Sequence, residues 1–160
     1  MNGRNELISQ LDQWITCLGN HMGKTFHLNP EGVFAVKDEV GQEYVVDLPE
    51  NESHVYFCAP IVTLSDPNSK TIDMEQILKW NLWGYETRGG TLSFEESTQR
   101  IVFHKTFAME TLDENSFVTH FFAFIDAVKH IQELWQSYKQ TSPLTPTHKL
   151  QGNPDFMLKI

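Results

Sequence analysis

Long apolar runs are missing from this chain. No stretch approaches the ~20 apolar residues of a membrane-spanning helix. The first apolar residues are broken by Ser9, Gln10, Asp12 and Gln13, so they do not read as a signal peptide. Cysteine is scarce: Cys17 and Cys58 are the only two. On a helical and a strand pattern respectively, they read as reduced, buried thiols rather than a disulfide framework. Asn51, Glu52 and Ser53 spell a glycosylation sequon that a chain with no secretory route never uses, so a cytoplasmic protein is expected. Positive charge is also short. Twelve Lys and Arg face 21 Asp and Glu, a formal net charge of -9. Nucleic acid and anionic membrane surfaces both require clustered Lys and Arg, so the balance argues against either partner and against membrane insertion. It favours solubility in a protein that shows apolar surface.

Motifs for chemistry are lacking too. Gly19 to Lys24, GNHMGK, has three residues between its glycines where a phosphate loop has four, and it follows a helix instead of opening one. It reads as a helix C-terminus. None of the seven histidines pairs with another at the i, i+4 spacing of a helical metal site. His120 and His130 share nearly one helix face but lie about 15 Å apart. Cys58 and His104 both fall on expected strands, yet no nucleophile elbow or local signature surrounds Cys58. No enzyme, cofactor or metal is expected.

What is present is patterning. The chain is long enough for one domain with a core of its own. Leu7, Ile8, Leu11, Trp14, Ile15 and Leu18 form one stripe of a helix over 4–22. Strands are expected over 33–36, 43–48 and 54–62, separated by turn formers. Pro60, which has no N–H for a ladder, places its strand at an edge or a terminus. A second helix runs over 71–84, with Asp73 or Thr71 as its cap. Ile77, Leu78 and Leu82 make one apolar stripe, which Trp80 and Trp83 extend round to a second face. Such a helix needs a core on one side and a partner on the other. A glycine-rich reversal at Gly89 and Gly90 leads into a hairpin of 91–95 with 100–107. Thr111 to Glu114 fits a capping box and opens a helix over 113–138, along which Phe117, Phe121, Phe124, Val128, Ile131, Trp135 and Tyr138 step by three or four residues. Residues 141–160 carry three prolines and little periodicity and read as a mobile tail beyond a domain of 1–140. The fold class is α+β, an antiparallel sheet packed with three helices in the order αβββαββα. A binding module suits these features better than an enzyme, by strand addition at a sheet edge or an apolar segment in a groove.

The run LKWNLWGYETRGGTLSF over 78–94, with Asn81 and Leu82 near a helix end and Gly89, Gly90, Thr91 and Leu92 at the hairpin, resembles the type III secretion chaperones of the CesT/SycE kind. The element order over about 5–138, the size and the acidity resemble that family as well. The resemblance implies a cytoplasmic bacterial homodimer that binds the N-terminal region of one or a few secreted effector proteins. It would keep that region secretion-competent and present it to the export apparatus, whose secretion ATPase is a further candidate partner. It implies a dimer interface of Ile77, Leu78, Trp80, Leu82 and Trp83. Effector lining would come from Phe34, Val36, Tyr44, Val46, Leu48 and Phe57. A regulatory adaptor of the same fold, and a ligand carrier using the aromatic helix as a pocket wall, are the alternatives.

Overall fold

The computed structural model describes residues 2–141; the tail expected over 141–160 therefore lies, beyond its first residue, outside the described residues. The order is helix α1 (Asn2–His21), strands β1 (Val33–Lys37), β2 (Glu43–Asp47) and β3 (His54–Thr63), helix α2 (Lys70–Asn81), strands β4 (Thr91–Glu95) and β5 (Arg100–Ala108), and helix α3 (Glu114–Thr141). The strands form one antiparallel sheet in the order β1-β2-β3-β5-β4, so the α+β expectation holds.

The helices cover one face of that sheet. Alternation along β3 sends Val55, Phe57 and Ala59 to this face, where all three are fully buried. The α1 stripe supplies Leu11, Trp14, Ile15 and Leu18, and α3 supplies Phe117, Phe121, Phe124, Ala127, Val128 and Ile131. Phe57 is the centre. Its ring lies 5.1–5.8 Å from those of Phe107, Phe117, Phe121 and Phe124. Three of these contacts are edge-on, the arrangement that ring quadrupoles favour.

Local chemistry sets the helix ends. At the end of α1, Gly23 adopts φ +65°, and the Lys24 N–H reaches back to the Gly19 carbonyl at 2.8 Å. That is the glycine-closed helix end expected of this run. At α3 the expected capping box is displaced. Asp113 is the cap, its carboxylate taking the Ser116 N–H at 2.7 Å while Ser116 Oγ accepts the Asp113 N–H at 2.8 Å. Thr111 instead donates to the Ala108 carbonyl. Aspartate captures the site because its charged oxygen is the stronger acceptor; the same hydrogen bonds hold its carboxyl below the usual range.

The cap of α2 also differs from expectation. Ser69 precedes the helix and makes no side-chain cap bond. Asp73 is buried and ties α2 to the end of α3: it accepts Ser69 Oγ at 2.8 Å, Tyr138 Oη at 3.0 Å and Lys139 Nζ at 3.1 Å. Pro60 lies in the middle strand, not at an edge. The β2 register ends at Cys58, and a bulge falls between Pro60 and Val62, so little pairing is lost there. Phe57→Ala is expected to lower the free energy of unfolding by about 3–5 kcal/mol. Urea titration checks this, and a loss under about 1 kcal/mol would remove Phe57 from the centre of the core.

Candidate functional site

The first surface to locate is the expected effector lining, and the structure moves it. Phe34, Tyr44, Val46, Leu48 and Phe57 are all 5% exposed or less and face the helices. They are core, not a surface that a partner could cover. The alternation that identifies them as an apolar face is satisfied by α1 and α3. Val36 alone is half-buried, at the margin of a groove.

That groove borders the free edge of β1. Antiparallel strands turn the N–H and C=O of alternate residues toward the neighbour and of the others away from it. The bonds from Leu48 N–H to the Gly32 carbonyl and from Asp38 N–H to the Gln42 carbonyl fix the inward set as the even-numbered residues. Val33, Ala35 and Lys37 therefore present their backbone groups outward. Val33 is satisfied by Asn29, which donates its own N–H to the Val33 carbonyl at 2.9 Å and accepts the Val33 N–H on its side chain at 2.7 Å. Ala35 and Lys37 are exposed, and no described residue takes their outward groups. Beside them a cavity of about 340 Å³ opens between the end of α1, β1 and α3, floored by Met22, Val36, Tyr44, Phe121 and Ile125. Burial, and then the Asp38 carboxylate, pushes the Tyr44 phenol up to about 12, so it stays neutral and donates to Asp38 at 3.3 Å. Lys24, Lys37 and Lys129 stand at the mouth, with Asp38 and Glu39.

The opposite edge also carries an asparagine clamp. Leu92 in β4 turns both backbone groups away from β5, and the Asn81 side chain takes both: its Oδ1 accepts the Leu92 N–H at 2.8 Å and its Nδ2 donates to the Leu92 carbonyl at 2.9 Å. One amide thus acts as a one-residue strand. The hairpin behind it requires glycine at 90, because a Cβ there would sit 2.3 Å from the Phe103 ring. Beside this clamp α2 gives way to a 3-10 turn, Leu82–Gly84, in which Trp83 is held at φ +64°. A bulky residue in that region costs of order 1–3 kcal/mol.

The expected dimer residues divide into a buried and an exposed set. Ile77 and Trp80 are buried in the protomer, Trp80 with its ring 6.4 Å from Trp135 and 5.9 Å from Tyr138. Leu78, Leu82 and Trp83 are exposed, Trp83 by 81%, and Tyr85 joins them at 82%. Helical periodicity assigned Trp80 and Trp83 to one extension of the stripe. The left-handed backbone at Trp83 parts them, and no local sequence pattern announces it. Nor could periodicity find Ala35, Lys24 or Lys129, whose site is made of backbone and of residues distant in sequence.

No nucleophile is assembled. Cys58 lies opposite His104 across β3 and β5. Burial, aided by Asp47, pushes its thiol up to about 11, and burial lowers His104, whose Nε2 is 2.9 Å from Ser93 Oγ. A thiol so shifted is protonated at neutral pH and is a poor nucleophile. His120 stacks on Phe107 and His130 faces Glu86 at 3.8 Å. Among the described residues no three metal-ligating side chains come together, and no helix is long and apolar enough to cross a membrane.

The sequence profile of the Tir chaperone protein (CesT) family matches residues 13–132, from within α1 to near the middle of α3. No curated protein sequence matches. Solved structures share the fold. A chain of the ExsC-ExsE complex superposes with a TM-score of 0.65 at 15% identity, covering 82% of this chain and 94% of that one. In the Yersinia pestis type III secretion chaperone SycH, in complex with a fragment of YscM2, the TM-score is 0.54 at 12% identity, with 73% and 95% covered. YbjN, a putative transcription regulator from E. coli, gives 0.57 at 13% identity, with 81% and 91% covered. At these identities the likeness is one of fold.

Asn81→Ala removes both bonds to Leu92 and is expected to cost about 1–3 kcal/mol of stability. The Leu92 amide should then exchange with solvent faster than its β4 neighbours. Unchanged exchange at Leu92 would show that the clamp does not hold this edge.

Proposed function

Because the chain belongs to the Tir chaperone protein (CesT) family and is thus a type III secretion chaperone, we propose that it holds the N-terminal chaperone-binding region of one or a few secreted effectors. It keeps that region secretion-competent in the bacterial cytoplasm and presents it to the export apparatus. It is a binding protein and not an enzyme. The observation that carries the reading is the open backbone of Ala35 and Lys37 beside an apolar-floored groove. An extended segment laid there gains backbone hydrogen bonds from the strand edge, and sends alternate side chains into the groove. Neither step consumes energy from a cofactor.

The exposed cluster of Leu78, Leu82, Trp83 and Tyr85 supports a second contact, with another copy of the chain. Burying one such side chain stabilises by roughly 1.5–3 kcal/mol, enough to offset the backbone strain at Trp83. Ile77 and Trp80 support this patch from below rather than forming it.

The test of the effector contact is capture from the native host with the tagged full-length protein. The wild type should retain one abundant partner that stays bound when cut down to its N-terminal region. Ala35→Pro removes an outward N–H at an edge position where proline is tolerated. It should keep the fold, by circular dichroism, and lose that partner, while Ala35→Thr keeps both. Retention of the partner by Ala35→Pro would refute strand addition here, and capture of folded partners alone would refute the chaperone reading.

The test of the self-contact is Trp83→Asp. The wild type should run near 37 kDa (twice 18.5 kDa) by light scattering, and the variant near 18.5 kDa with its fold intact. A charge placed in an apolar interface opposes its formation. A variant dimer of normal strength would place the self-contact elsewhere.

A further inference from the structure

The mouth of the β1 groove carries charge that runs against the rest of the protein. In a chain of net charge -9, three lysines stand round one cavity. Their local partners do not account for them all. Lys37 is 3.9 Å from Glu43. Asp38 is occupied by the backbone N–H groups of Val40 and Gln42 and by the Tyr44 hydroxyl. Glu39 also lines the cavity, and Asp126 of α3 is close enough to act on Tyr44. Lys24 and Lys129 are exposed, and neither has an ion pair or side-chain hydrogen bond among the described residues. One belongs to the turn after α1 and the other to α3, so they reach the mouth from two sides. Below them the floor is apolar, with Met22, Val36, Phe121 and Ile125 and the edge of the Tyr44 ring. Beside them lie the open backbone groups of Ala35 and Lys37.

We infer that the segment occupying this groove is an acidic one: an extended stretch with an apolar side chain for the floor and carboxylates flanking it, positioned for Lys24 and Lys129. This rests on the chaperone reading and adds a selection rule to it. Strand addition reads backbone and is indifferent to sequence. The floor asks only for an apolar group of suitable size. The two ammonium groups are the feature of the site that discriminates. They favour carboxylates in the approaching segment, and a basic segment meets like charge there. The net negative charge of the chain disfavours non-specific association of acidic segments, so these lysines give such a segment a place to settle.

The test uses three blocked, fluorescein-labelled nonapeptides with a central isoleucine, flanked by aspartates, by asparagines or by lysines. Binding to the full chain is followed by fluorescence anisotropy. The aspartate peptide should bind roughly fivefold to tenfold more tightly than the asparagine peptide, the gain that two exposed charge pairs provide. The advantage should shrink as salt is raised from about 50 mM to 500 mM. Lys24→Gln with Lys129→Gln, both at exposed positions, should abolish it and leave the asparagine peptide unchanged. Ala35→Pro should weaken all three. Equal binding of the aspartate and asparagine peptides, or a preference for the lysine peptide, overturns the inference. So does an aspartate advantage that survives loss of both lysines, or binding of none of the three. If the double variant instead alters the monomer–dimer balance, the groove is filled by a second copy and the inference is likewise overturned. In each case the chaperone reading is judged separately, by whether the wild-type protein still captures its partner from the host.

Discussion

Phe57 projects from the central strand into a cluster of phenylalanine rings from α3 and β5, and this contact decides which side of the sheet is inside. Strand side chains alternate, so once Phe57 is covered, Val55 and Ala59 are covered too, and the register carries the choice across every strand. Tyr44 and Val46 on β2, Phe34 on β1 and Phe103 on β5 are committed by it. The helix-covered face is thereby filled by the protein itself. What remains for a partner is at the margins: strand edges, the groove between β1 and α3, and the turn after α2.

The two edges of the sheet are managed by the same device, to different extents. An unpaired strand edge is a template for any passing chain. Asn29 satisfies both outward groups of Val33 on β1, and Asn81 does the same for Leu92 on β4. On β4 the clamp falls at the second of five residues and leaves Phe94 as the one outward-facing position after it, with Lys70 of α2 over its ring. On β1 the clamp falls at the first residue and leaves Ala35 and Lys37 open. The asymmetry leaves β1 the more open of the two edges, and there the edge is bordered by an apolar-floored cavity.

Much of this was legible in the sequence. The element order follows from periods of two and of three to four, which local residue choice writes directly. The reading of Gly19 to Lys24 as a helix end holds in detail, since Gly23 and the Lys24 bond to Gly19 close α1. The departures from expectation have separate physical origins. Phe34, Tyr44, Val46, Leu48 and Phe57 were legible as an apolar face, but pattern does not say whether helices or a partner cover such a face. Ile77 and Trp80 share the α2 face buried with Asp73, while Leu78 and Leu82 lie on the exposed face, and Trp83 is set apart by a left-handed backbone that side-chain periodicity does not encode. The cap moved from Thr111 to Asp113 because two candidate boxes overlap and the stronger acceptor captures the helix end. The β1 edge was illegible in principle. Its chemistry is that of the backbone, which every sequence shares, and the lysines around its groove meet only after folding.

The exposed turn of Leu82, Trp83 and Tyr85 is tied to the same sheet edge. A tryptophan that projects into water gains nothing in the isolated protomer, and this one is held there by a left-handed backbone that costs free energy. Leu82 is already extended, at ψ 123°, and Trp83 left-handed; relaxing this pair would redirect the chain after α2 and misplace Asn81 relative to Leu92, since residues 82 to 90 must reverse within a short span to bring β4 alongside. The strain is therefore coupled to the clamp: the reversal that lets Asn81 close one sheet edge also turns Trp83 outward. Acidity then keeps such a surface usable. Like-charged protomers resist indiscriminate association, and contact is favourable only where enough apolar area is buried to exceed that repulsion. Closing the β4 edge and displaying an apolar turn are, in this fold, two consequences of one backbone reversal.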